Sequence, residues 1–206
     1  MNLDFNEMLK FAEEALYEND KERREKSKHS FRSRFKHITR VLGWCKRLEN
    51  DLVVDKDILY TSAIFHDVGY SQGQDGHAYV SAEMFKEYAK EHGFDSEFTN
   101  KVYDVIANHS NKSLLTDKNT SNELIILLEA DLLDEEGASG LVWDLMARGA
   151  KHSICYEEAI DEIMNHSGHI LNQDYMVTPT AKYYWDKKKN FVKEFLDELR
   201  IDLFEE

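Results

Sequence analysis

The sequence predicts an all-α protein, and three observations carry that prediction. Its 206 residues contain one proline and nine glycines, too little punctuation for a fold of many strands and tight turns. Apolar residues recur at three- and four-residue spacing in one segment after another, the period of a helix with one buried face. No stretch alternates apolar and polar residues long enough to insist on a strand. The length suits one large or two small domains with a substantial core. No internal repeat and no clear domain boundary divides it.

Taken in order, the first helix is expected from about Phe5 to Tyr17, with Met8, Leu9, Ala12, Ala15 and Leu16 at helical spacing. Lys21 through Lys36 is rich in lysine and arginine and admits two readings, a solvated linker or a basic rim that draws in phosphates. A helix from about Arg34 to Asn50 follows, its core stripe formed by Ile38, Val41, Leu42, Cys45 and Leu48. His37 lies beside that stripe, one turn before Val41, and Arg40 follows three residues later on a neighbouring face. Asp55 reads as an N-cap and Asp57 suits the helix dipole. That helix continues through Ile58, Leu59, Ala63, Ile64 and Phe65, and Gly69 can end it, which places His66 and Asp67 in its last turn.

Ser71 to Gly76 is a polar, glycine-bearing loop of the kind that borders sites. His77 opens a helix with Val80, Met84, Phe85 and Tyr88 inward, ending near Gly93. Asp95 or Ser96 caps the next, whose stripe is Phe98, Val102, Val105 and Ile106, with His109 at its end. A polar connection, Asn111 to Ser121, leads into a buried helix, Asn122 to Asp134. The small residues of Gly137-Ala138-Ser139-Gly140 permit close backbone approach before a short helix to Arg148. Tyr156 to Met164 reads as a further helix. Thr178-Pro179 starts the last one, with proline at the first helical position, and it runs through Tyr184, Phe191, Phe195 and Leu199 towards Phe204. Trp44, Trp143 and Trp185 are expected in the core, and His29, His92, His152, His166 and His169 in solvent.

Charge and cysteine usage exclude several function classes. Lys+Arg 26 against Asp+Glu 40 leaves a net charge of −14, which argues against binding the backbone of DNA or RNA. A small phosphorylated substrate in a locally positive pocket stays compatible with it. Cys45 and Cys155 are isolated, so neither a disulfide framework nor a cysteine zinc site is indicated. No apolar run approaches the roughly 18 residues of a membrane span. The N-terminus, MNLDFNEMLK, lacks a basic start and an apolar signal core. The expectation is a soluble, cytoplasmic protein with no membrane partner.

Two of the most apolar stretches contain charges that do not belong there. Ala63-Ile64-Phe65-His66-Asp67-Val68-Gly69 ends on a histidine beside a carboxylate, and Leu124 to Asp134 is almost continuously apolar around Asp131. Burying an ionised carboxylate costs several kcal/mol unless it is paired or bound to a metal. Either these groups satisfy each other and nearby backbone, or several helices assemble them into one site. His37, His66, Asp67 and Asp131, with His77 and His109 nearby, offer nitrogen and oxygen ligands and no thiolate. Such a set suits Mn²⁺, Fe²⁺, Co²⁺, Ni²⁺ or Zn²⁺, with Mg²⁺ admitted if carboxylates dominate. Four ligands on an octahedral ion leave positions for a water and a phosphate oxygen.

His37 within HITRVL, His66-Asp67 within AIFHDVG and Asp131 within EADLLDEEGASG together resemble the H…HD…D signature of the HD-domain metal-dependent phosphohydrolase superfamily. The likeness is greatest to small bacterial HD nucleotide pyrophosphohydrolases and extends to GHAYVSAEMF, IANHS and the helix beginning near MVTPTAKYYW. Leu132 departs from the pattern, standing where close relatives have arginine. The resemblance implies one HD-type helical bundle over 1–206, with its core at about 30–150 and with the N-terminal helix and 151–206 as packed helical additions. It implies His37, His66, Asp67 and Asp131 as metal ligands, and His77 and His109 as ligands of a second metal or phosphate contacts. Helix capping is the plainer role for those two. It also implies attack on phosphorus by a water acidified by the metal, with Mn²⁺ ranked first, Asp67 holding a proton, and Arg40, His77 and His109 neutralising the phosphoryl oxygens. Lys112 is a weaker candidate for that last role. Asp134 and Glu129 are read first as helix-surface charges or ion-pair partners, and second as supports for the site.

The function expected on this basis is hydrolysis of a small nucleotide, with release of pyrophosphate or phosphate from a (deoxy)nucleoside phosphate. Cyclic-nucleotide or alarmone hydrolysis and a catalytically silent nucleotide- or metal-binding sensor are the alternatives. A homodimer is compatible with all of them.

Overall fold

The computed structural model describes residues 3–27, 33–150 and 155–204. His29, His152 and part of the basic segment lie outside the described residues. Among the described residues the elements are helical: α1 (Phe5–Ser27), α2 (Arg34–Leu48), α3 (Lys56–Phe65), α4 (His77–Glu91), α5 (Ser96–Asn108), α6 (Asn122–Glu135), α7 (Ala138–Ala150), α8 (Tyr156–Asn165) and α9 (Pro179–Phe204), with 3₁₀ turns at Val68–Ser71, Lys112–Thr116 and Ser167–Asn172. None of these helices is long and apolar enough to cross a membrane. The chain divides into two compact units, Met1–Asp131 and Leu132–Glu206.

In the first unit the helix starts follow the capping chemistry in the sequence. Asp55 accepts hydrogen bonds from the amides of Asp57 and Ile58, and Asp95 from that of Phe98. Ser33 accepts from the amide of Lys36 and starts α2. The α2 stripe is buried as its spacing requires: Ile38, Val41, Cys45 and Leu48 are fully covered and Leu42 nearly so. Burial raises the Cys45 thiol pKa, with the nearby Asp131 charge acting the same way. An aromatic cluster joins α1, α3 and α4. The Phe65 ring lies 5.5 Å from Phe11, 5.2 Å from Phe85 and 5.1 Å from Tyr88, centroid to centroid. Such pairs add about 0.5–1.5 kcal/mol each beyond their buried area. The cluster fixes the last residue of α3, immediately before His66.

In the second unit Trp185 of α9 is fully buried, and its indole N–H donates to the Gln173 carbonyl at 3.1 Å. Asp144 of α7 accepts from the backbone N–H of Ser167 at 2.9 Å and from its hydroxyl, starting the 3₁₀ turn there. Pro179 occupies the first position of α9, as expected. Lys188 donates to the Glu136 carbonyl at 2.8 Å, and its burial lowers its pKa despite the nearby Asp134 and Glu136.

Several expectations are corrected. Helix α1 runs on to Ser27 rather than stopping near Tyr17, so the first part of the basic segment is helical rather than linker. Helix α3 stops at Phe65, and His66 and Asp67 follow it as a turn rather than forming its last turn. Helix α7 begins at Ala138, inside the small-residue stretch. On α4 the inward residues are Ala78, Ser81, Ala82, Phe85, Tyr88 and Ala89, while Val80 and Met84 are half-buried. Of the three tryptophans only Trp185 is fully buried; Trp44 and Trp143 are half-buried. Glu129 and Asp134 are buried, not surface charges. His169 is half-buried, 3.3 Å from the Glu136 carboxylate.

Candidate metal centre

Five elements bring six predicted side chains together. His37 comes from the second turn of α2, His66 and Asp67 from the turn after α3, His77 from the first residue of α4 and His109 from the end of α5. Asp131 comes from α6. His37, His66, Asp67 and His109 are buried, and His77 and Asp131 half-buried.

Asp67 is the shared member. Its Oδ2 lies 3.5 Å from His37 Nε2 and 3.7 Å from His66 Nε2. Its Oδ1 lies 3.4 Å from both His77 Nε2 and His109 Nε2. On the Oδ2 side Asp131 Oδ1 completes the group, 3.0 Å from His37 Nε2 and 4.0 Å from His66 Nε2. On the Oδ1 side the two imidazole Nε2 atoms are 3.3 Å apart, and the Ser110 hydroxyl lies 3.3 Å from one and 3.4 Å from the other. His37, His66 and Asp67 form one set of donors close enough to hold an ion, and Asp67, His77 and His109 form another.

Backbone carbonyls set the imidazoles. Nδ1 of His66 lies 2.8 Å from the Ala63 carbonyl, Nδ1 of His77 3.1 Å from that of Gln74 and Nδ1 of His109 2.7 Å from that of Ile106. A carbonyl oxygen only accepts, so each Nδ1 carries the proton and each neutral ring turns its Nε2 lone pair inward. Supports of this kind are what a ligating histidine needs. His66 Nε2 then faces His37 Nε2 at 3.3 Å, among the oxygens of Asp67 and Asp131. Lone pairs converging this closely require a cation or shared protons between them, so the donor set fits a divalent ion. Two imidazoles and two carboxylates without thiolate suit the Mn²⁺ to Zn²⁺ series.

The electrostatics agree. Burial pushes the His66 pKa down to about 4, outweighing the neighbouring carboxylates, so the ring is neutral at pH 7. Burial alone would raise Asp67, but the surrounding His66, His109, His37 and Arg34 hold it well below the usual carboxylate range. Asp131 likewise falls to about 2, its burial outweighed by the hydrogen bond and charge of His37. Burial lowers His77. It would lower His109 too, but the hydrogen bond to Asp67 raises that ring instead.

Arg34 was not singled out by the sequence. Its Nη1 donates to Asp67 Oδ2 at 2.8 Å, and its guanidinium lies 3.8 Å from the centre of the Tyr70 ring. The available signal was position, since Arg34 stands one turn before His37 on the same helix face. Arg40 is half-buried one turn beyond His37, and the guanidinium that reaches Asp67 is that of Arg34. Lys112 is exposed at the start of its 3₁₀ turn. A cavity of about 560 Å³ between the start of α3, α5 and the start of α6 shares no lining residue with the six.

No curated protein sequence matches the chain. Among solved structures it is similar to Bacillus subtilis YpgQ, 19% identical with a TM-score of 0.69 over 97% of this chain and 95% of that one. A structure of YpgQ in complex with ADP gives a TM-score of 0.67, again at 19% identity, over 98% of each chain. A predicted HD superfamily hydrolase from an uncultured Thermotogales bacterium is 23% identical, with a TM-score of 0.63 over 96% of this chain and 91% of that one. At these identities the likeness is one of fold. The model of the HD domain matches residues 34–136, a span holding Arg34 and all six clustered residues. The chain belongs to the HD domain family.

Proposed function

We propose that this protein is a metal-dependent phosphohydrolase acting on a small nucleotide, with release of pyrophosphate or phosphate. The observation that carries this is the division of Asp67, one oxygen towards His37 and His66 and the other towards His77 and His109. His37, His66, Asp67 and Asp131 would hold a divalent ion, Mn²⁺ first among the candidates. When bound, such an ion acts as a Lewis acid and lowers the pKa of water towards neutrality. On this reading Asp67 would also hold the proton of the attacking water. Arg34 would present donors to the phosphoryl oxygens, His77 and His109 would do so once protonated on Nε2, and Ser110 adds a hydroxyl beside them. Arg40 remains a candidate for the mouth of the site. The complex of YpgQ with ADP supports a nucleotide as the ligand class.

A second reading of the Oδ1 side is favoured by its own geometry: Asp67, His77 and His109 are close enough to hold another ion. The stoichiometry of bound metal separates the two readings. The protein would be purified without chelator, its metals measured, and phosphate and pyrophosphate release assayed over a nucleotide panel with added Mn²⁺. Turnover of one nucleotide class is expected; tight binding of metal and nucleotide without turnover would instead favour a sensor.

A further inference from the structure

The backbone of Gly69 lies directly on the first turn of α4. A Cβ built there would stand 2.3 Å from the His77 carbonyl oxygen, 2.7 Å from the Ser81 nitrogen and 2.8 Å from the Ser81 hydroxyl. Backbone atoms cannot yield at such distances, so only glycine fits. The Gly69 N–H donates to Ser81 Oγ at 2.8 Å, and Ser81 is fully buried. Gly69 is two residues after Asp67, and Ser81 is one turn after His77 on the same helix. The contact therefore ties the element carrying Asp67 to the element carrying His77.

The other groups of this turn reinforce it. The Tyr70 ring packs on the His77 imidazole, 4.2 Å between centroids, and the Tyr70 carbonyl accepts from the Asn19 amide at 2.9 Å. Helix α4 itself enters through Gly76, whose φ of 69° lies in the left-handed region, with no side-chain cap. The first turn of α4 thus takes its position from Gly69 and Ser81.

We infer that Ser81 is a positioning residue: through the Gly69 N–H it sets the distance between Asp67 Oδ1 and His77 Nε2. Its hydroxyl is buried against the Gly69 N–H. Its removal should loosen the Oδ1 side, made by His77, His109 and Asp67, and leave the His37–His66–Asp131 side in place. This role deepens the phosphohydrolase reading and rests on it for the kinetic arm of the test alone.

The test uses the full chain with ¹⁵N-labelled histidine, with and without added Zn²⁺, as wild type, Ser81→Ala and Ser81→Cys. The ring nitrogen resonances of His77 and His109 are expected to move in Ser81→Ala while those of His37 and His66 stay. Ser81→Cys, with a weaker acceptor of similar size, should fall between, and it decides the matter if Ser81→Ala does not fold. All four rings moving together, or none moving, would overturn the inference. In the kinetic arm Ser81→Ala should lower kcat/KM about tenfold, the worth of one buried hydrogen bond. In a His77→Ala background it should lower it less than twofold. An equal loss in both backgrounds would also overturn the inference. A wild type that hydrolyses no nucleotide would sink the phosphohydrolase reading but leave the resonance test to decide the role of Ser81.

Discussion

The guanidinium of Arg34 donates to Asp67 Oδ2 at 2.8 Å and at the same time covers the ring of Tyr70 at 3.8 Å. A positive charge fixed this way beside a carboxylate turned towards two imidazoles does two things. It keeps Asp67 ionised, and on the proposed reading it would offer a donor fork to the substrate phosphate. Lysine offers a point charge without the fork.

Arg34→Ala should therefore raise KM for the nucleotide about 10- to 100-fold, the usual worth of a hydrogen bond between charged groups. Metal content should be unchanged, because His37, His66, Asp67 and Asp131 all remain. Arg34→Lys should recover only part of the loss. Steady-state kinetics with metal analysis on the same samples checks both, and loss of metal together with activity would show Arg34 to be a support for Asp67 alone.

Phe65 offers a test of how the fold holds the site. Its ring packs within 5.1–5.5 Å of Tyr88, Phe85 and Phe11, centroid to centroid, and the next residue is His66. Phe65→Leu should cost about 1–2 kcal/mol through lost aromatic pairing and a small void. Denaturant unfolding would show it as a lower midpoint at unchanged slope. The affinity for Mn²⁺ should fall with it, because the turn carrying His66 and Asp67 loses its anchor.

Glu49 gives a pH dependence away from the candidate metal centre. Burial would raise its carboxyl pKa, but hydrogen bonds from Lys56, at 2.7 Å, and from Tyr60 outweigh that and hold it below its ordinary value. A carboxylate with a depressed folded pKa stabilises the protein above its unfolded pKa, and that stability is lost as pH falls through the folded value. Glu49→Gln should thus lower Tm at pH 7 by the equivalent of about 0.5–1 kcal/mol. The gap to wild type should close as pH falls below about 4. A gap independent of pH would contradict the charge-based account.

Much of the site was legible because its chemistry contradicts its surroundings. Asp67 and Asp131 stand out as charges in apolar runs, His66 stands beside Asp67 at the end of one of them, and His37 follows from the likeness to the H…HD…D signature. Arg34 was hidden for the opposite reason: it sits in a run of lysines and arginines where one guanidinium looks like the next. The inward face of α4 differs from the one its apolar spacing suggests, since the large residues Val80 and Met84 are only half-buried. The close approach of Gly69 instead demands a small residue, and Ser81 supplies it, while Ala78 and Ala82 share the buried face. The burial of Glu129 was equally invisible, since a glutamate on a helix carries no sign of which face it takes.

The most direct test of the central claim, that His37, His66, Asp67 and Asp131 share a divalent ion, is metal binding by wild type and Asp67→Ala, measured by elemental analysis and Mn²⁺ titration with far-UV circular dichroism as the check on folding. The wild type is predicted to hold at least one equivalent, and a folded Asp67→Ala to hold none and to hydrolyse nothing. An Asp67→Ala protein that keeps its metal and its activity would contradict the account.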